Sequence, residues 1–212
     1  LIGGDAFSGA LSRDAGENVG GYVIRQGTLA NSNYAITYVS ANLTIAAKPI
    51  TITNNAVSAT YDATSTYAAL VATAGYTPTA LVGSDRIGSV TQTLTAVNAS
   101  DIAQAGTFTS TPSAAVLSVG NPINYSFTYA GPTTNTVAKA NLTISATASS
   151  GNVYNGTAYT GTYTTTALGN DALGINVTGL ATGTTIGSYA SSLSASGSVL
   201  NNYNTPTITN AN

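Results

Sequence analysis

Apolar and polar residues alternate one by one in several short runs. Tyr34-Ala35-Ile36-Thr37-Tyr38-Val39, Asn42-Leu43-Thr44-Ile45, Pro49-Ile50-Thr51-Ile52-Thr53 and Tyr125-Ser126-Phe127-Thr128-Tyr129 are examples, with a shorter one at Tyr22-Val23-Ile24. A period of two places every second side chain on one face, so each run predicts a half-buried strand. Clusters of Gly, Asn, Asp and Ser divide the runs at intervals of about 8 to 14 residues, the turn chemistry of an all-β chain. No segment keeps apolar residues at i, i+3, i+4 and i+7 for three turns, and only Ser100 to Ala105 reads as a single helical turn.

The runs fall into a longer order that comes round three times. Leu1-Ile2-Gly3-Gly4-Asp5 returns as Leu81-Val82-Gly83-Ser84-Asp85 and Ala167-Leu168-Gly169-Asn170-Asp171, so the aspartates are spaced by 80 and 86 residues. Behind each comes Gly-x-aromatic (ending at Tyr22, Phe108 and Tyr189) and then Asn-Tyr (ending at Tyr34, Tyr125 and Tyr203). Repetition at this scale marks a tandem array. The expected fold is all-β, with tandem small β-sandwich-like modules, Ig-like or β-grasp-like, in an elongated array. The phrase Ala41-Asn42-Leu43-Thr44-Ile45, repeated at Ala140–Ile144, reads as the closing strand of a module. Module boundaries follow: the C-terminal part of one module at 1–46, a complete module with an insertion at 47–146, and a divergent third at 147–212 lacking its last strand. On this reading the chain is a window from a longer polypeptide.

Composition narrows the partners. Charged residues are 6% of the 212, with a net charge of −2, whereas a soluble domain carries about a quarter. A nearly field-free surface of Thr, Ser, Asn and Gly cannot gather phosphates or anionic lipid, so neither nucleic acid nor membrane insertion is expected. Cysteine is absent, so neither disulfides nor thiolate metal sites are available. Passage of an unfolded chain through a secretion pore suits this composition, and the expected location is extracellular, secreted or on the surface of a bacterium.

The phrases also carry a family likeness. A Tyr-Asx opening (Tyr61-Asp62, Tyr154-Asn155-Gly156), Leu-x-Gly-x-Asp, Gly16-Glu17-Asn18-Val19-Gly20-Gly21-Tyr22, Asn33 to Tyr38 and Ala-Asn-Leu-Thr-Ile resemble the MBG and YDG repeats of very large bacterial adhesins related to filamentous haemagglutinin. The resemblance implies a secreted protein whose β modules build a stalk or fibre for attachment and biofilm, and it implies no catalytic residues.

Candidate chemistry is sparse. Asp5, Asp85 and Asp171 stand at one register of different repeats beside glycines, so they read as turn residues and not as a glycosidase pair. With no histidine, the commonest general base and zinc ligand is missing, and no enzyme activity, cofactor or metal is expected. Asp14, Glu17 and Asn18 place oxygens close together, too few for a tight calcium loop. Lys48 and Lys139 read as solvated rather than as cross-linking lysines. Tyr22, Phe108 and Tyr189 read as core, whereas Tyr154, Tyr159 and Tyr163 form the candidate stacking surface for sugars. Expected partners are further copies, through fibre self-association, or else polysaccharide or another cell surface.

Overall fold

A computed structural model describes residues 1–211. The chain is all-β, with 42% of residues in strands and 9% in helix. It divides into two compact units, each gathered from several segments: Leu1–Ile52 with Pro78–Thr91 and Ser113–Ala130, and Thr53–Thr77 with Gln92–Pro112 and Gly131–Asn212.

In the first unit, Ser12–Arg13, Gly20–Arg25 and Ala41–Ile45 form an antiparallel sheet, with Gly20 opposite Ile45 and Tyr22 opposite Leu43. Lys48–Asn54 runs parallel to Tyr125–Tyr129, Lys48 opposite Tyr125 and Ile52 opposite Tyr129. The alternation predicted for this strand is realised: Ile50 and Ile52 are fully buried while Thr51 faces out. No residue before Ile50 is fully buried.

The second unit holds a core cluster that includes Val57, Tyr61, Tyr67, Val71, Phe108 and Tyr203. Thr133–Ala138 pairs antiparallel with Gly106–Ser110, Gly106 opposite Val137 and Phe108 opposite Asn135, and pairs parallel with Ser58–Thr60. Thr143–Thr147 lies between Thr162–Thr165 and Thr207–Thr209, parallel to the latter, with a further bridge from Ala140 to Tyr203.

These registers correct the seam phrase. Gly20 faces Ile45 as Gly106 faces Val137, so the strand that closes the second repeat is Thr133–Ala138. Lys48 faces Tyr125 as Ala140 faces Tyr203, so Ala140–Ile144 takes the opening position of the third repeat. Leu142 and Ile144 are buried there as Ile50 and Ile52 are in the second. Closing and opening strands carry the same alternation of aliphatic and polar residues, and a matching phrase cannot tell one from the other.

A helix over Tyr67–Ala74 was not legible from a three-turn criterion, because it has only two turns. Its local signals are present: the Thr66 hydroxyl caps the Ala69 N–H, and Gly75, at φ +69°, returns its N–H to the Val71 carbonyl. Tyr67 and Val71 are one turn apart on the buried face, and the Tyr67 ring meets Phe108 edge-on at 4.8 Å. Ser100–Ala105 contains no helix; a turn closes there from Asp101 N–H to the Asn98 carbonyl.

Candidate functional site: the repeat junctions

The recurring aspartates and tyrosines form the same clamp three times. In each, the five-residue phrase led by Leu1, Leu81 or Ala167 makes a tight turn in which the Asp N–H returns to the carbonyl three residues back: Asp5 to Ile2 at 3.1 Å, Asp85 to Val82 and Asp171 to Leu168 at 3.0 Å. The first corner residue is Gly3, Gly83 or Gly169, at φ +57°, +57° and +50°, a conformation that favours glycine. The tyrosine hydroxyl then closes the turn from outside. Tyr34, Tyr125 and Tyr203 donate to Asp5, Asp85 and Asp171 at 2.8, 2.6 and 2.7 Å, and accept the N–H of Ile2, Val82 and Leu168 at 2.8, 3.1 and 2.8 Å. Each tyrosine is aimed by its own turn, since its N–H bonds to Asn31, Pro122 or Leu200, again three residues back. The carboxylates are therefore acceptors that hold loops in place.

The third clamp has an additional member. Tyr61, from the Tyr-Asx opening of the second repeat, also donates to Asp171, at 2.9 Å, and its ring meets Tyr203 edge-on at 5.7 Å. Burial, then the hydrogen bond to the carboxylate, pushes the Tyr61 hydroxyl up to about 12. Burial likewise raises Tyr203, and the bond to Asp85 raises Tyr125. An unfolded tyrosine ionises near ~10, so between that pH and about 12 the unfolded chain binds fewer protons than the folded one and stability falls as pH rises. The Tyr61 contribution is intact below ~10 and its loss reaches about 2–3 kcal/mol near pH ~12. Urea midpoints measured across this range should decline, and Tyr61→Phe should make the decline shallower.

A second local device recurs at the Gly-x-aromatic phrase. The Tyr22 ring lies against Gly16 and its hydroxyl donates to the Asn18 carbonyl at 2.7 Å; the Tyr189 ring lies against Gly183 and its hydroxyl donates to the Thr185 carbonyl at 3.0 Å. The sequence form is Gly-x-x-x-Gly-x-Tyr, the ring folding back six residues onto a glycine that has no side chain to obstruct it. Phe108 has Ile102 at that position and turns into the core instead, at 3% exposure. Tyr22 is half-buried and Tyr189 is 37% exposed, so of the three aromatics read as core only Phe108 is fully inside. A methyl group at Gly183 would run into the Tyr189 ring. Gly183→Ala should therefore displace that ring, costing about 1–3 kcal/mol, seen as a lower melting temperature with loss of near-UV tyrosine ellipticity.

The asparagines before the second and third clamp tyrosines face the preceding repeat. Asn124 accepts the Val19 N–H at 2.9 Å and donates to the Asn18 side chain at 2.8 Å. Asn202 accepts the Ala105 N–H at 2.9 Å and donates to the Gln104 side chain at 2.6 Å. Val19 and Ala105 each precede the glycine of Gly-x-aromatic, so the two junctions are equivalent down to the atoms used. Sequence reading marked the Asn-Tyr phrase for its tyrosine; the recurrence of the asparagine was the available signal for the junction.

The remaining candidates separate. Tyr154 and Tyr159 line a groove of about 470 Å³, together with Ile186 and Tyr189, whereas Tyr163 is half-buried and packs on the core. Tyr154 is 65% exposed; the Tyr159 hydroxyl is taken by the Val153 carbonyl. Asp14 pairs with Arg25 at 2.7 Å, a bond that lowers its carboxyl below the usual range, and Glu17 pairs with Arg13. Among the described residues no group of three or more His, Cys, Asp or Glu could hold a metal, and no helix is long and apolar enough to cross a membrane. Lys48 and Lys139 are exposed.

A family model described as MBG domain (YGX type) matches residues 1–44. Residues 1–44 are thus similar to an MBG-type module, a match that covers about a fifth of the chain. They contain the first clamp and the first Gly-x-x-x-Gly-x-Tyr fold-back. No curated protein and no solved structure matches the chain.

Proposed function

We propose that this chain is a structural repeat segment of a secreted bacterial surface protein, part of a stalk or fibre that serves adhesion or a biofilm scaffold. The observation that carries the reading is the pair of equivalent junctions, Asn124 on Val19 and Asn202 on Ala105. A contact made identically at successive positions propagates along an array, and the clamps that aim it hold loops of the chain itself, Asp171 taking Tyr61 of the second repeat as well. In this role the aspartates act as hydrogen-bond acceptors, and no reaction is assigned to them. Antibodies raised against the purified chain should decorate filaments outside the producing bacterium in immunogold electron microscopy. Label confined to the cell interior would sink the proposal.

A second reading, a carbohydrate-binding surface, has the uncharged groove with Tyr154 and Tyr159 in its favour. Binding of a neutral oligosaccharide that Tyr154→Ala and Tyr159→Ala abolish would promote it above the first.

A further inference from the structure

Three parallel strand pairs share one relation: an earlier strand, on which the chain arrives, lies beside a later strand, from which it departs, with most of a repeat between them. In the first unit Lys48–Ile52 runs beside Tyr125–Tyr129, Lys48 opposite Tyr125 and Ile52 opposite Tyr129. In the second unit Ser58–Thr60 runs beside Thr136–Ala138, and Thr143–Ser145 beside Thr207–Thr209. Parallel neighbours cannot be joined by a tight turn and need a crossover. Here the body of the repeat is that crossover.

This arrangement decides how the chain meets a pull on its backbone. Tension draws the arriving strand back by its first residue and the departing strand forward by its last. In a parallel pair those two residues, Lys48 and Tyr129 in the first unit, lie at opposite ends of the ladder. The pull therefore runs along the strands, and the hydrogen bonds between them carry it together. An antiparallel pair behaves otherwise: Gly20 stands opposite Ile45, so a pull on those two residues opens their ladder from one end, bond by bond. The parallel ladders are also sheltered from water on one face, where Ile50, Ile52 and Ile144 are 0% exposed and Val137 is 2% exposed. On the outer face of the first pair the Thr51 and Thr128 hydroxyls bond across it at 3.0 Å.

We propose that these parallel pairs are shear clamps, which let a repeat carry tension along the chain while its body stays folded. Load passes from the arriving strand to the departing one across the ladder, and the crossover between them is bypassed. The stalk reading supplies the source of the tension; the resistance is a property of the chain itself and is tested on the purified protein.

The chain has no cysteine, so two introduced thiols fix where a single-molecule force measurement pulls. In the full chain, Ala46→Cys with Gly131→Cys loads the ladder between Lys48–Ile52 and Tyr125–Tyr129 in shear. Ala46→Cys with Ile123→Cys pulls the same two strands from their common end and peels them. All three positions are exposed, and a side chain at Gly131 meets nothing within 4 Å. The two variants enclose nearly the same stretch of chain, so the length released identifies the same event and only the direction of pull differs. At equal loading rate the rupture force in shear should exceed that in peeling by about 2-fold or more, because forced unfolding follows the barrier along the pulled direction. Equal forces, a greater force in peeling, or no resolvable rupture in shear would overturn the proposal. Filament labelling by the antibodies described above is read separately, so the clamp can fail while the fibre reading stands, and the fibre reading can fail while the clamp stands.

Discussion

Asp171→Ala is expected to destabilise the second unit by about 2–4 kcal/mol. Two tyrosine hydroxyls converge on this carboxylate, and the residues that carry them are 5% and 2% exposed. Truncation leaves the Tyr61 hydroxyl without its acceptor inside the core, and Tyr203 keeps only the bond it accepts from Leu168. The loss is greater than that of one ordinary hydrogen bond because the phenols stay buried when their partner is gone. The same substitution at the other clamps separates this effect from any general role of the turn. Asp5 receives one tyrosine, and Tyr34 is only half-buried, so Asp5→Ala should cost about 1 kcal/mol. Asp85, serving the buried Tyr125, should fall between. Urea denaturation of the three variants gives the ranking, and equal losses at all three would show that burial of the tyrosines is not what sets the cost.

The legible part of this fold was the part written in side-chain alternation and in repeated glycines. Lys48–Asn54 and Tyr125–Tyr129 were visible as strands because burial of one face imposes period two. Their parallel pairing was not, because alternation says which face is buried and nothing about which strand lies beside it. The seam phrase failed for that reason, adjacent strands of successive repeats having the same pattern. The aspartates were correctly placed in turns, yet their tyrosine partners lie 29, 40 and 32 residues away. A single sequence records that both recur; only the fold records that they touch. Tyr163 was grouped with Tyr154 and Tyr159 on proximity in sequence, and the strand Thr162–Thr165 turns it toward the core instead.

Charge is so scarce that hydrogen bonds must perform the specifying role that ion pairs take elsewhere. Asn135 illustrates this inside the second unit: fully buried, it accepts the Val57 N–H at 2.9 Å and donates to the Ser110 hydroxyl at 3.1 Å. It stands opposite Phe108, where the first repeat has Leu43 opposite Tyr22. A buried amide needs its partners in fixed places, so it tolerates fewer registers than an aliphatic side chain would. The same logic governs the junctions, where an amide donor and acceptor together read one backbone N–H and one side-chain carbonyl.

Asn202→Ala should accordingly be the most damaging change at a junction, with a cost of about 2–3 kcal/mol. Its amide is buried, and removing it orphans the N–H of Ala105 and the side-chain oxygen of Gln104 together. Alanine supplies neither acceptor nor donor, and although Gln104 is exposed, water must enter the space left by Asn202, itself 4% exposed, to reach the half-buried Ala105 N–H. Asn124→Ala removes the same two bonds from Val19 and Asn18, but at a half-buried position where solvent can substitute, so about 1 kcal/mol is expected. Hydrogen exchange gives the site-specific readout. The Ala105 amide should lose protection in Asn202→Ala, and the Val19 amide in Asn124→Ala, each without change at the other. Loss of protection at both amides in either variant would mean that global unfolding, and not the junction, had been measured.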